Sequence, residues 1–198
     1  MKSARQSDRT LAWLLAGDPA IRWQALGDLA DSAPGAVARE RRRVAREGWG
    51  ARLLKRQDPE GTWAGGLYTP KWTSTTYTLL LLRDLGLAPS HPRAKTPCSL
   101  LLDYGMRRDG GITYDWSDRP RGSGVKSGRR QAKGGRSETC ITGMVLSILS
   151  YFRYDDERLD TLVDHLLDQQ MPDGGGTASA FTARRTPPCT PPSRCSRA

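Results

Sequence analysis

The sequence predicts an all-α chain of stacked helical hairpins, and three observations carry that prediction. Three stretches, 53–63, 102–112 and 166–176, run in phase. Each opens on an apolar residue (Leu53, Leu102, Leu166), places Gln57, Met106 or Gln170 four positions on, and Gly61, Gly110 or Gly174 four further, with an acidic residue (Glu60, Asp109, Asp173) before each glycine. The runs between these stretches keep helical apolar spacing. The stretches themselves carry turn chemistry, as in Asp58-Pro59-Glu60-Gly61 and Asp109-Gly110-Gly111. A repeated unit that cannot bury its own apolar stripe must stack on neighbours, so the repeat fixes an architecture before any residue has a role.

Taken in order, residues 8–31 read as two short helices. Asp18 is a good N-cap and Pro19 suits a first helical turn. Pro34-Gly35 breaks the pattern, residues 36–47 form a basic helix, and Gly48-Trp49-Gly50 ends it. Residues 50–57 carry the first repeat helix. Residues 73–86 form the next, with Tyr77, Leu80, Leu81 and Leu85 on one face and Gly86 as C-cap. Pro89 to Pro97 is loop, and residues 98–106 are helical.

Residues 117–136 hold seven Lys and Arg residues among five glycines; this reads as a mobile insertion with too little apolar area to offset its ordering entropy. Ser137 caps a helix over 137–152. Residues 156–170 are amphipathic, with Leu159, Leu162, Val163, Leu166 and Leu167 on one face, and Asp155-Asp156-Glu157 favours that helix's N-terminus through the macrodipole. The Pro- and Arg-rich tail, 177–198, reads as disordered. The organisation is a helical leader (1–45), a repeat region (46–176) and this tail.

A tail of this kind is unexpected, because Thr186 stands twelve residues after Gly174 as Thr73 stands twelve after Gly61, and a helix should begin there. Codons compatible with the tail, read one base out of frame, encode a good helix start. The tail is thus a candidate frameshift product that truncates a longer repeat.

The formal net charge of the 198 residues is +10 and the pI near 9.9. The excess sits mainly in loops and the tail, so it reads as solvated surface rather than a nucleic-acid site; the basic insertion also lacks the interleaved aromatics of single-strand binders. The N-terminus has no signal-peptide core, and Leu79–Leu82 is too short to span a bilayer. A cytoplasmic protein with free thiols at Cys98, Cys140, Cys189 and Cys195 is expected.

Arg46-Glu47-Gly48-Trp49 followed by Leu53, Gln57, Gly61 and Trp63 resembles the Gln-Trp repeat of squalene cyclases and their relatives, the terpenoid cyclases and protein prenyltransferase β subunits. The second copy has Met106 and Ile112 in place of Gln and Trp. The third keeps Gln170 and Gly174 but lacks the Trp. The resemblance covers roughly 46–176 and implies an incomplete (α/α) toroid of about three hairpins after a short leader.

The resemblance also frames the chemistry. The cyclases' Asp-x-Asp-Asp acid motif is absent; Asp115-x-x-Asp118 and Asp155-Asp156 are the nearest. Glu138-Thr139-Cys140 sits where the prenyltransferases place an Asp-x-Cys zinc pair, so Glu138 and Cys140 are candidate zinc ligands, although the later His is missing and His91 and His165 lie on a loop and an outer-type helix. Trp63, Trp72 and Tyr77 are candidates for a cavity that holds an isoprenoid or lipid-like molecule, with inter-hairpin packing the plainer role of Trp63 and Gln57.

The function expected is that of a catalytically incomplete cyclase- or prenyltransferase-like repeat protein. The alternatives are a non-enzymatic helical-repeat binding module and a basic nucleic-acid-associated protein. A last hairpin without a capping repeat should expose an apolar face and allow self-association.

Overall fold

The computed structural model describes residues 2–114 and 136–176. Most of the basic insertion, the Asp115–Asp118 pair and the tail lie outside them. Helices α1 (Lys2–Leu15), α2 (Pro19–Asp28), α3 (Pro34–Arg43) and α4 (Gly48–Lys55) come first. Then follow α5 (Thr75–Leu85), a 3-10 turn (Pro92–Ala94), α6 (Lys95–Gly105), α7 (Thr139–Tyr151) and α8 (Arg158–Asp168). No strand occurs among the described residues, only the isolated bridges Trp63–Gly66 and Met106–Ile112. The fold is all-α. No helix among the described residues is long and apolar enough to cross a membrane.

Local chemistry accounts for the helix ends. The Asp18 carboxylate accepts from Ala20 N–H (3.0 Å) at the start of α2 and from Trp49 N–H (2.8 Å) at the start of α4, so one side chain caps two helices. Gly86 ends α5 in the left-handed region as expected (φ 93).

Several boundaries differ from the sequence reading. Pro34 opens α3 instead of breaking it, since its missing N–H would be unpaired in a first turn anyway. Gly48 begins α4 rather than closing the basic helix. Helix α6 starts at Lys95, with Pro97 accommodated in its first turn.

Two helix faces also turn out differently. On α5 the buried side carries Thr75, Thr78, Leu79, Leu82 and Leu85, while Leu81 is 46% exposed and Tyr77 and Leu80 are half-buried. Hydropathy misplaces this face because the threonines bury satisfied hydroxyls: Thr75 Oγ1 donates to Gly66 O at 2.7 Å. On α8, Leu162 and His165 are buried and Leu159 and Leu166 half-buried, but Val163 and Leu167 face outward.

Helix α4 packs on α2 and α5, α5 on α7, and α7 on both α6 and α8. The two helices that come after reversals, α5 and α7, therefore lean on each other. The main core runs through Leu54, Trp63, Leu82, Leu101, Ile148 and Leu162, one from each successive piece of the repeat region. Each such side chain contributes about 1.5–3 kcal/mol on full burial. A smaller cluster of Ala20, Val44 and Leu85, with Trp23 and Leu53 against it, joins the leader to the first hairpin.

Candidate functional site

The three repeated stretches form the same reversal. Asp58, Arg107 and Met171 N–H donate to Thr62, Gly111 and Gly175 O at 2.8, 2.8 and 2.9 Å, and the Gly61, Gly110 and Gly174 N–H groups close the inner bond to residues 58, 107 and 171. The glycine φ values are 87, 87 and 83, a region closed to most side chains. Gln57 Nε2 donates to Gly61 O and Gln170 Nε2 to Gly174 O, both at 3.0 Å. Met106 has no amide to do this, and the middle copy instead forms the Met106–Ile112 bridge.

In the first two copies the residue two positions past the glycine enters the core, as Trp63 and Ile112. Trp63 is 3% exposed and its indole N–H donates to Leu53 O at 2.8 Å, so it joins neighbouring elements instead of lining an open face. The Trp63 and Ile112 N–H groups donate to Thr75 Oγ1 (3.2 Å) and Thr142 Oγ1 (2.8 Å), each hydroxyl reaching back from the next helix. The sequence shows these threonines only as polar residues within an otherwise apolar helix.

Trp72 and Tyr77 belong to a different arrangement. Four rings form a ladder, with centroids 5.1 Å apart for Trp72–Tyr77, 5.3 Å for Tyr77–Tyr68 and 5.9 Å for Tyr68–Tyr114. Trp72 is 77% exposed at the open end, and Tyr114 anchors the inner end through its hydroxyl bond to Leu101 O at 2.9 Å. Hydrogen bonding with Tyr77, helped by burial and the neighbouring Tyr77, Cys140 and Glu138 groups, holds the Tyr68 phenol far above its ordinary range. Burial does the same for Tyr114. Both phenols therefore stay neutral at physiological pH. The ladder offers π faces and an apolar edge, suited to a hydrocarbon chain or a cation. Tyr68 belongs to the same aromatic-rich stretch as Trp72 and Tyr77, whereas Tyr114 escaped the sequence reading because it lies 46 residues from Tyr68 and joins the ladder only in the fold.

Glu138 and Cys140 sit beside this ladder. Glu138 Oε1 accepts from Thr113 Oγ1 at 3.1 Å, and Cys140 is exposed. They make two ligands of the four a structural zinc takes, and no group of three His, Cys, Asp or Glu side chains suited to a metal is assembled among the described residues. His165 is engaged elsewhere. Its Nδ1 donates to Asp109 O (2.8 Å) and its Nε2 meets Ser137 Oγ (2.9 Å).

Ser137 is therefore not the helix cap read from the sequence; Glu138 holds the N-cap position of α7, with no side-chain capping bond. Ser137 N–H and Oγ–H instead reach the Asp109 carboxylate at 2.8 and 3.1 Å. Burial raises the Asp109 pKa, but the Ser137 and Gly111 N–H bonds, the Ser137 hydroxyl and the nearby His165 outweigh it and leave the carboxyl below its usual range. Although Ser, His and Asp meet, this is not a nucleophilic triad: the carboxylate holds the serine rather than the imidazole, and Ser137 and His165 are 3% and 8% exposed. The cluster ties the second reversal to the entry of α7 and the last turn of α8. The acidic residue before each glycine was its only sequence signal.

A basic surface lies on α3 and α4. Glu40 and Glu47 pair with Arg22 and Arg43, while the exposed Arg39, Arg42 and Arg46 form no ion pair among the described residues. The exposed indole of Trp49 stands on α4 with Arg52 and Arg56 three and seven residues on.

Comparison of the chain with protein-family models, with curated proteins and with solved structures finds no match in any of the three.

Proposed function

We propose that this chain is a repeat protein of the squalene-cyclase and prenyltransferase type, an incomplete (α/α) toroid that binds an isoprenoid or lipid-like molecule and lacks the equipment for turnover. The observation that carries the reading is the aromatic ladder: three rings from residues 68–77 and a fourth, Tyr114, from the second reversal converge beside the entries of α5 and α7, the two helices that come after reversals and pack on each other. The equivalence of the three reversals supports the repeat architecture.

Titration with farnesol, followed by tryptophan fluorescence, tests this. Saturable quenching that Trp72→Ala abolishes and Trp49→Ala leaves intact is expected, with no product from squalene or prenyl diphosphates. Quenching indifferent to Trp72 rejects the ladder as the site, and turnover of squalene rejects the incomplete-enzyme reading. The zinc proposal for Glu138 and Cys140 is read separately, as metal stoichiometry by native mass spectrometry with added zinc.

A further inference from the structure

The first two reversals are each seated on the start of the second helix that follows them, α6 and α8. A Cβ added to Gly61 would lie 2.7 Å from Thr96 Cγ2 at the start of α6, and one added to Gly110 would lie 3.2 Å from Thr161 Cγ2 in α8. Three residues before each threonine stands an arginine that reaches back to the helix before the reversal, α4 or α6. Arg93 donates from Nη1 to Leu54 O at 2.7 Å, and Arg158 Nη1 pairs with Asp103 Oδ1 at 2.9 Å. Leu54 and Asp103 hold the same repeat position, three residues before Gln57 and Met106. At the first junction Gln57 Nε2 also donates to Arg93 O at 3.0 Å. Both junctions thus use an Arg-x-x-Thr start, with the Arg against position 54 or 103 and the Thr against the reversal glycine.

The third reversal has the same backbone and no such neighbour among the described residues. The position of a Gly174 Cβ meets only its own Gln170, at 3.9 Å, and Gln170 Nε2 reaches only Gly174 O. Leu167 holds the position of Leu54 and Asp103 and is 62% exposed, where Leu54 is 4% exposed. Val163 and Met171 extend this apolar strip, and the exposed Asp160, Asp164 and Asp168 run beside it at helical spacing.

We propose that the surface of Val163, Leu167, Gln170 and Gly174 is a docking site for a partner helix that begins Arg-x-x-Thr. It continues the interface already made twice within the chain, and the aspartate row favours a basic helix start. This proposal is independent of what the aromatic ladder binds. The geometry assigns each contact: the partner arginine lies over Leu167, its carbonyl accepts from Gln170 Nε2, and the threonine methyl covers Gly174.

The test uses the full chain and a synthetic peptide of residues 90–105, which carries Arg93 and Thr96. NMR titration should give saturable shifts at the Leu167, Gln170 and Gly174 amides. Leu167→Asp recreates the Asp103–Arg158 pairing and should tighten binding about threefold, the scale of one exposed ion pair. Leu167→Arg should weaken it by a similar factor, and the Arg93→Ala peptide should lose the difference between the two variants. Absence of saturable shifts at these amides, or an equal effect of Leu167→Asp and Leu167→Arg, would overturn the proposal.

Discussion

The first and third reversals differ in their surroundings far more than in their backbone. Both turn through a left-handed glycine and both carry a glutamine bonded to that glycine's carbonyl. Around Gly61 the chain supplies Thr96, Arg93 and the buried Trp63; at the third reversal Gly174 meets only its own Gln170, and the small Gly176 stands where Trp63 does, against Thr139. The middle reversal keeps the same backbone with Met106 in place of the glutamine, so the turn is a local property of the acidic residue and the glycine, whereas the stability it confers depends on what it docks against. The same lesson separates the tryptophans: Trp63 is enclosed by its hairpin and Trp72 stands 77% exposed on the ladder.

That contrast can be broken by substitution. The largest effect is expected for Trp63→Ala, about 3–5 kcal/mol from a large buried ring, against under about 0.5 kcal/mol for Trp72→Ala; denaturant unfolding of both reads the difference. Equal losses would mean that Trp63 does not hold the hairpin together.

Next comes the buried polar joint. Ser137→Ala should cost about 1–3 kcal/mol, because it leaves Asp109 and His165 without their shared hydroxyl. The pH dependence derives from the depressed Asp109 pKa. The stabilisation is fully present above the unfolded-state value and lost as pH falls through the lower folded-state value, so wild type should weaken below about pH 4 and Asp109→Asn should flatten part of that slope. Unfolding midpoints between pH 2 and 6 measure it. The smallest effect concerns the glutamines: Gln57→Ala, which removes bonds to Gly61 and Arg93, should cost about 1 kcal/mol, and Gln170→Ala a few tenths.

Much of the fold was legible in the sequence, and the reasons are local. The phase of Gln57, Gly61, Gly110, Gln170 and Gly174 marked three turns that share one geometry, and Asp18, Pro19 and Gly86 marked helix ends correctly. The face of α5 was misread because Thr75 and Thr78 bury hydroxyls satisfied by carbonyls that no sequence window shows. Ser137 looked like a cap because serine favours caps, but the more distant Asp109 and His165 claim it. The candidate site was half visible. Trp72 and Tyr77 stood out as aromatics near a turn, with Tyr68 in the same stretch, while Tyr114 joined them only through tertiary packing. The Arg93/Thr96 and Arg158/Thr161 pairs were hidden because they stand at unequal distances from their glycines, 35 and 51 residues from Gly61 and Gly110 to the threonines.

Calorimetric unfolding of Gly61→Ala, Gly110→Ala and Gly174→Ala tests the docked-repeat account most directly. All three share a positive φ that costs alanine about 1–2 kcal/mol, but only at Gly61 and Gly110 does the added methyl also press on a threonine of the second helix onward, α6 or α8. The account predicts losses in the order Gly61, Gly110, Gly174, with Gly174→Ala near the backbone cost alone. Three equal losses would contradict it, since each reversal would then be an isolated turn rather than a joint between neighbouring hairpins.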